Sequence, residues 1–167
     1  AVARNALGKL EALRREVSSV RIVITAGASG ALLLALGVLV NPGDEWLLPD
    51  PGYPCNRHFV RTLEGVPRPL AVGPETDYQP TAELVARRWT PRTKGLLVAS
   101  PANPTGTMIS AAAMAELAAC VASRGGALLV DEIYHGLTYA TKEPPCAGNA
   151  DAATALALSE DIFVINS

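Results

Sequence analysis

The chain has 167 residues, of which 49% are hydrophobic and 18% charged, with a formal net charge of −2. That is enough chain for one domain or a piece of a larger one, and it is too apolar for a disordered tract. Weak acidity without a basic stripe argues against a nucleic-acid surface, and three separated cysteines and two histidines argue against a disulfide scaffold and a histidine-based metal centre.

In chain order, residues 4–17 are expected to form an amphipathic helix, with Leu7, Leu10, Leu13 and Val17 on one face. This charged stretch does not have the continuous apolar core expected of a signal peptide. It defines a helical segment over 1–18, ahead of a domain over 19–167. Residues 22–40 carry no charge over nineteen positions, which by length alone suggests a membrane span. A strand at 22–25, a Gly/Ser turn and a buried helix over 29–40, apolar nearly all round, explain the run better. Asn41-Pro42-Gly43-Asp44 stops that helix.

A strand at 46–48 follows, then a helix over 54–64 closed by Gly65. A proline-interrupted strand over 66–72 reads as a sheet edge. Thr81 caps a short helix to Arg88, and Ser110 caps another to about Ser123. Strands at 95–99, 127–130 and 162–166 complete the series. The strands are short continuous apolar runs alternating with helices. This predicts an α/β fold, a mostly parallel sheet with helices on both faces in three layers.

In such sheets ligands sit beyond the carboxyl ends of the strands. Those ends carry Ala26 to Gly30, Asp50 to Tyr53, Ser100 to Asn103, Asp131 to Tyr134, and Ser167. The residues entering the strands are Arg21, Arg92, Lys94, Arg124 and Asp161, a solvated edge. The Gly27–Gly30 turn opens a helix whose free N–H groups suit a phosphate, or is simply a tight turn. Asp131 ends an apolar strand, so its carboxylate needs a cationic partner, a protonated heterocycle included. Tyr53 can stack on a planar ring or merely pack. Asn103, on a proline-fixed loop, and Tyr134 can hydrogen-bond a ring oxygen; an Asx-turn is the plainer use of Asn103. A phosphorylated pyridine with a phenolic oxygen, pyridoxal 5′-phosphate, satisfies all five groups.

Two motifs then carry a resemblance. Ser100-Pro-Ala-Asn-Pro-Thr-Gly106 and Asp131-Glu-Ile-Tyr134 resemble the hallmarks of the class I/II aminotransferases, fold-type I pyridoxal-phosphate enzymes. Thr25 to Leu32, Asn41 to Glu45, Asp50 to Pro54 and Thr90 to Lys94 resemble the family's accompanying segments, so the likeness covers nearly all of 20–167. It implies the family's large domain. It also implies phosphate contacts from Ala28 and Ser29, with Ser167 as a further phosphate ligand. Tyr53 would stack on the ring, and Asn103 and Tyr134 would bind the phenolic oxygen. Asp131 would hold the pyridine nitrogen protonated, and Asp131 and Tyr134 would act in catalysis. It implies amino-acid and 2-oxo-acid substrates, a cytoplasmic homodimer, and neither nucleic acid, membrane nor metal.

The family's Schiff-base lysine has no match in Lys9, Lys94 or Lys142. It is expected about three residues past Ser167, so the 167 residues should be an inactive piece of a parent roughly twice as long or more. The substrate-carboxylate arginine and small domain lack counterparts as well. Other readings are an aminotransferase-like domain of a transcription regulator, a lyase or synthase on the same fold, and a nicotinamide-binding domain using Gly27, Gly30 and Asp50.

Overall fold

A computed structural model of the chain describes residues 21–137, 154–159 and 161–166. The helix expected over 4–17, together with Lys9, Lys142, Cys146 and Ser167, lies outside these residues.

The described chain runs α1 (Gly27–Leu39), β1 (Glu45–Asp50), α2 (Pro54–Thr62), β2 (Val66–Ala71), α3 (Ala82–Arg88), β3 (Thr93–Ala99), α4 (Ala111–Ala122), β4 (Ala127–Asp131) and β5 (Ile162–Ile165). The strands form one parallel sheet in the order β2-β1-β3-β4-β5. The order reverses between β1 and β3, so a crevice opens at their carboxyl ends.

The inner strands β1, β3 and β4 are apolar on both sides because each side meets a helical layer. Leu47, Leu96, Val98, Leu128 and Val130 face one layer, with Val85 of α3 and Met114, Leu117 and Val121 of α4. Their neighbours in sequence, Trp46, Leu48, Leu97 and Leu129, face the other, with Leu32 and Leu36 of α1 and Val60 of α2. Successive side chains of a strand point to opposite faces, so a doubly covered sheet needs unbroken apolar runs. Fully burying one such side chain stabilises the fold by roughly 1.5–3 kcal/mol.

Local signals place the helix ends. Thr81 accepts from the Leu84 N–H and Ser110 from the Ala113 N–H, both at 3.2 Å. Each satisfies one donor that the first turn leaves free. α2 ends with Glu64 in the left-handed region, φ 59°, and Gly65 follows because a Cβ there would lie 2.7 Å from Val40 and 2.9 Å from Val60. β2 lies at a sheet edge as expected, and Pro67 and Pro69 remove two N–H groups from it.

Two expectations fail. Residues 22–25 form no strand, and Val23 and Ile24 are 68% and 79% exposed. An apolar run becomes a strand only when another strand takes its hydrogen bonds, and no described strand lies against this one. Helix α1 is also not buried all round. Leu32 and Leu36 are buried, but Leu33, Leu34 and Val38 are exposed, because the described layers pack one face only. No helix among the described residues is long and apolar enough to cross a membrane.

Candidate functional site

The carboxyl ends of β3 and β4 are joined in register. Ala99 lies opposite Asp131, and the Ser100 N–H donates to the Asp131 carbonyl at 3.0 Å. Asp131 is therefore held at the rim by the sheet itself. It is only 5% exposed. Its carboxylate accepts from the Ile133 N–H at 3.2 Å, and no lysine or arginine among the described residues pairs with it. Burial pushes its carboxyl above the ordinary aspartate range. The Ile133 hydrogen bond works against that shift, and the Glu132 charge adds to it. A desolvated anion without a cation is unfavourable in the protein alone and is relieved by a cationic ligand.

Tyr134 lies three residues on, in a turn closed by the His135 N–H donating to the Glu132 carbonyl at 2.8 Å. Its side chain is exposed, as is that of Tyr53. Tyr53 is the N-cap residue of α2, set there by Pro54 at the first helical position. The Cys55 thiol beside it raises the Tyr53 phenol above its usual range. Tyr134 and Asp131 are close enough to add to that rise.

Asn103 sits on the loop after β3, which the chain braces heavily. The Ala102 N–H donates to Thr107 at 2.9 Å and the Gly106 N–H to Ala102 at 2.7 Å, with Gly106 at φ +70°. Ser100 Oγ accepts from the Ile109 N–H, and Gln79 Nε2 donates to the carbonyls of Ala99 and Thr107. Sequence reasoning missed Gln79. It is buried and binds carbonyls 20 and 28 positions away, and a polar residue between β2 and α3 carries no local sign of that. Asn103 and Tyr53 line one groove with Asp50, Asn56, Arg57 and Tyr78. Asp131, Tyr134, Ala28 and Ser29 do not line that groove.

Ala28 and Ser29 occupy the first turn of α1. The residue before the helix, Ala26, offers no capping side chain, and the first turn carries no acidic residue. Gly27 takes φ +75°, where a side chain would be strained, and the Thr25 hydroxyl donates to its carbonyl at 3.0 Å. The first-turn N–H groups are thus left without a side-chain acceptor, an arrangement that attracts an anion. Ala28 and Ile133 pack on the same core layer, which sets the helix start and the Asp131 turn on one side of the sheet.

Ser167 lies outside the described residues. Lys94 is at the opposite, amino-terminal edge, in the opening of β3.

A family model described as aminotransferase class I and II matches residues 3–167. The chain is 38% identical, over 146 residues, to a valine–pyruvate aminotransferase of Mycobacterium tuberculosis, covering 87% of this chain and 36% of that protein. It is 32% identical to an aspartate aminotransferase of Streptomyces avermitilis, covering 77% of this chain and 31% of that one. Among solved structures, an aspartate aminotransferase from Thermus thermophilus with maleate superposes at a TM-score of 0.82. It is 30% identical and covers 93% of this chain and 40% of that one. An aminotransferase from Mycobacterium tuberculosis gives a TM-score of 0.81 at 37% identity, over 90% and 37% of the two chains. The chain thus spans between about a third and two fifths of the length of these relatives.

Proposed function

This chain belongs to the class I and II aminotransferase family, and from that premise we propose that it forms most of the cofactor cradle of a pyridoxal-phosphate enzyme. The reaction is transfer of an amino group between an amino acid and a 2-oxo acid. The observation that carries this reading is Asp131, a buried strand-end carboxylate with no cationic partner among the described residues. A protonated pyridine nitrogen is a cation of the right kind for it. The uncapped start of α1 fits the phosphate, and the exposed rings of Tyr53 and Tyr134 fit the heterocycle and its oxygen.

Pyridoxal phosphate supplies an electron sink for charge developing at the substrate α-carbon. The chain's residues bind and tune it. The N–H groups of Ala28 and Ser29, with Ser167, hold the phosphate. Tyr53 covers the ring. Asn103 and Tyr134 hydrogen-bond the phenolic oxygen, the braced loop keeping Asn103 in place. Asp131 holds a proton on the ring nitrogen, and burial strengthens that pairing because little water competes.

Relatives named for valine with pyruvate and for aspartate both match this segment. The segment therefore carries what such reactions share, the handling of the cofactor, and leaves the choice of substrate to other parts of the protein. Residues 19–167 are the large domain in this reading, and 1–18 a separate helical segment. A homodimer in the cytoplasm belongs to the same proposal, supported by the free thiols of Cys55 and Cys120 and by the exposed apolar face of α1.

The full-length protein is expected to bind pyridoxal phosphate and to interconvert amino acids and 2-oxo acids; failure against a panel of both overturns the proposal. The 167-residue segment, in which no lysine matches the family's lysine motif, is expected to show no transamination. Borohydride reduction with the cofactor should leave no stoichiometric lysine adduct by mass spectrometry.

A further inference from the structure

Glu132 is buried to 3% exposure beside Asp131, yet it faces a different set of partners. Its carboxylate accepts from the Thr154 hydroxyl at 2.8 Å and from the Ala155 N–H at 2.7 Å. Ala155 opens a short 3₁₀ turn over Ala155–Ala157 and is itself buried in the core. Thr154 Oγ in turn accepts from the Leu156 N–H at 3.3 Å. The backbone of Glu132 is equally committed. Its N–H donates to Ile165, the last residue of β5, and its carbonyl accepts from the His135 N–H, both at 2.8 Å. The Leu137 N–H then donates to Tyr134 at 2.9 Å.

One residue therefore holds three pieces of chain: the turn bearing Tyr134, the carboxyl end of β5, and the turn at 154–157. A buried carboxylate with two short hydrogen bonds is well satisfied, and charge-assisted bonds of this kind are among the stronger ones. Removing the acceptor leaves the Ala155 N–H buried without a partner, which a structure relieves by moving the turn.

We propose that Glu132 is a positioning residue for the cofactor site, holding the Tyr134 turn and the end of β5 through its backbone and the turn at 154–157 through its carboxylate, so that the three are fixed to one another. This rests on the cofactor reading given above. The Glu132 carboxylate is engaged by the 154–155 turn and so acts through others; it sets where the Tyr134 phenol and the end of β5 are presented. Misplacing a binding group by about an ångström reduces its effect severely, up to roughly 100-fold in favourable cases.

The test uses the full-length protein and the variants Glu132→Ala, Glu132→Gln and, as a control at the other edge of the sheet, Glu45→Gln. Melting temperature, pyridoxal-phosphate affinity and amide exchange of residues 133–137 are measured for each. Glu132→Ala is expected to weaken cofactor binding by about 10-fold or more and to speed exchange over 133–137 by a similar factor. Glu132→Gln keeps an acceptor for the Ala155 N–H and should recover most of both. Glu45→Gln should lower the melting temperature with neither effect. Unchanged exchange over 133–137 in Glu132→Ala overturns the inference. So does a loss of affinity no greater than that of Glu45→Gln at matched melting temperature. If the unsubstituted protein binds no pyridoxal phosphate, the cofactor reading falls, and the exchange measurement still decides whether Glu132 holds the Tyr134 turn.

Discussion

Glu45 and Asp131 are both buried carboxylates at the ends of parallel strands, and they have opposite surroundings. Glu45 opens β1 at the amino-terminal edge and is 1% exposed. It accepts from the Thr90 hydroxyl at 2.7 Å and from the Arg92 guanidinium at 2.8 Å, with Arg68 3.9 Å away. The Thr90 hydrogen bond, followed by the two arginines, outweighs burial and holds its carboxyl below the usual glutamate range. Asp131 closes β4 at the other edge with one backbone hydrogen bond and a raised carboxyl. The fold has the means to satisfy a buried carboxylate, at Glu45 and again at Glu132, and among the described residues it supplies no such partners to Asp131. Partnering Asp131 within the chain would fill the position a cationic ligand needs; partnering Glu45 fastens β1, β2 and the 90–93 turn together.

The largest effect expected from this contrast is at Asp131. Asp131→Asn in the full-length protein should lower the transamination rate by about 100-fold or more, on the scale of a lost charge-stabilising group. The melting temperature without cofactor should stay level or rise, since a desolvated charge is gone. Equal losses of rate and stability would erase the distinction between the two edges. Glu45→Gln should do the reverse, costing about 1–3 kcal/mol in denaturant unfolding with cofactor affinity unchanged. The arginines it leaves behind are largely exposed, which keeps the loss below that of a fully buried broken pair.

A smaller effect appears in the pH dependence of stability without cofactor. The raised carboxyl of Asp131 contributes stability below the ordinary aspartate pKa, lost as pH rises through its raised value. The depressed carboxyl of Glu45 contributes stability above the ordinary glutamate pKa, lost as pH falls through its lowered value. Unfolding curves across acidic pH should show both slopes. Asp131→Asn should remove the first alone and Glu45→Gln the second alone; a single slope unaffected by either substitution would refute the assignment.

Much of this was legible in the chain. Thr81 and Ser110 are caps because a short hydroxyl side chain reaches the N–H three residues on, a contact fixed within one turn. Pro67 and Pro69 marked an edge strand because proline cannot donate to a ladder. The positions of Asp131, Asn103 and Tyr53 at strand ends followed from the boundaries of the apolar runs. The failures share one cause. Residues 22–25 have the composition of a strand, and α1 that of a buried helix, but pairing and burial need a second surface, which composition does not specify.

The sequence by itself determined the order and approximate extent of the elements from α1 onward, that the sheet is parallel and covered on both faces, and which residues gather at its carboxyl edge. These depend on side-chain periodicity and on hydrogen bonds spanning a few residues. Only the tertiary structure decided that Glu45 is saturated and Asp131 is not. It alone showed that Gln79 braces the loop bearing Asn103, and that Glu132 ties together chain segments more than twenty positions apart. Those outcomes depend on groups distant in sequence that meet only after the strands have paired, and whether a buried carboxylate has a partner is settled by that meeting.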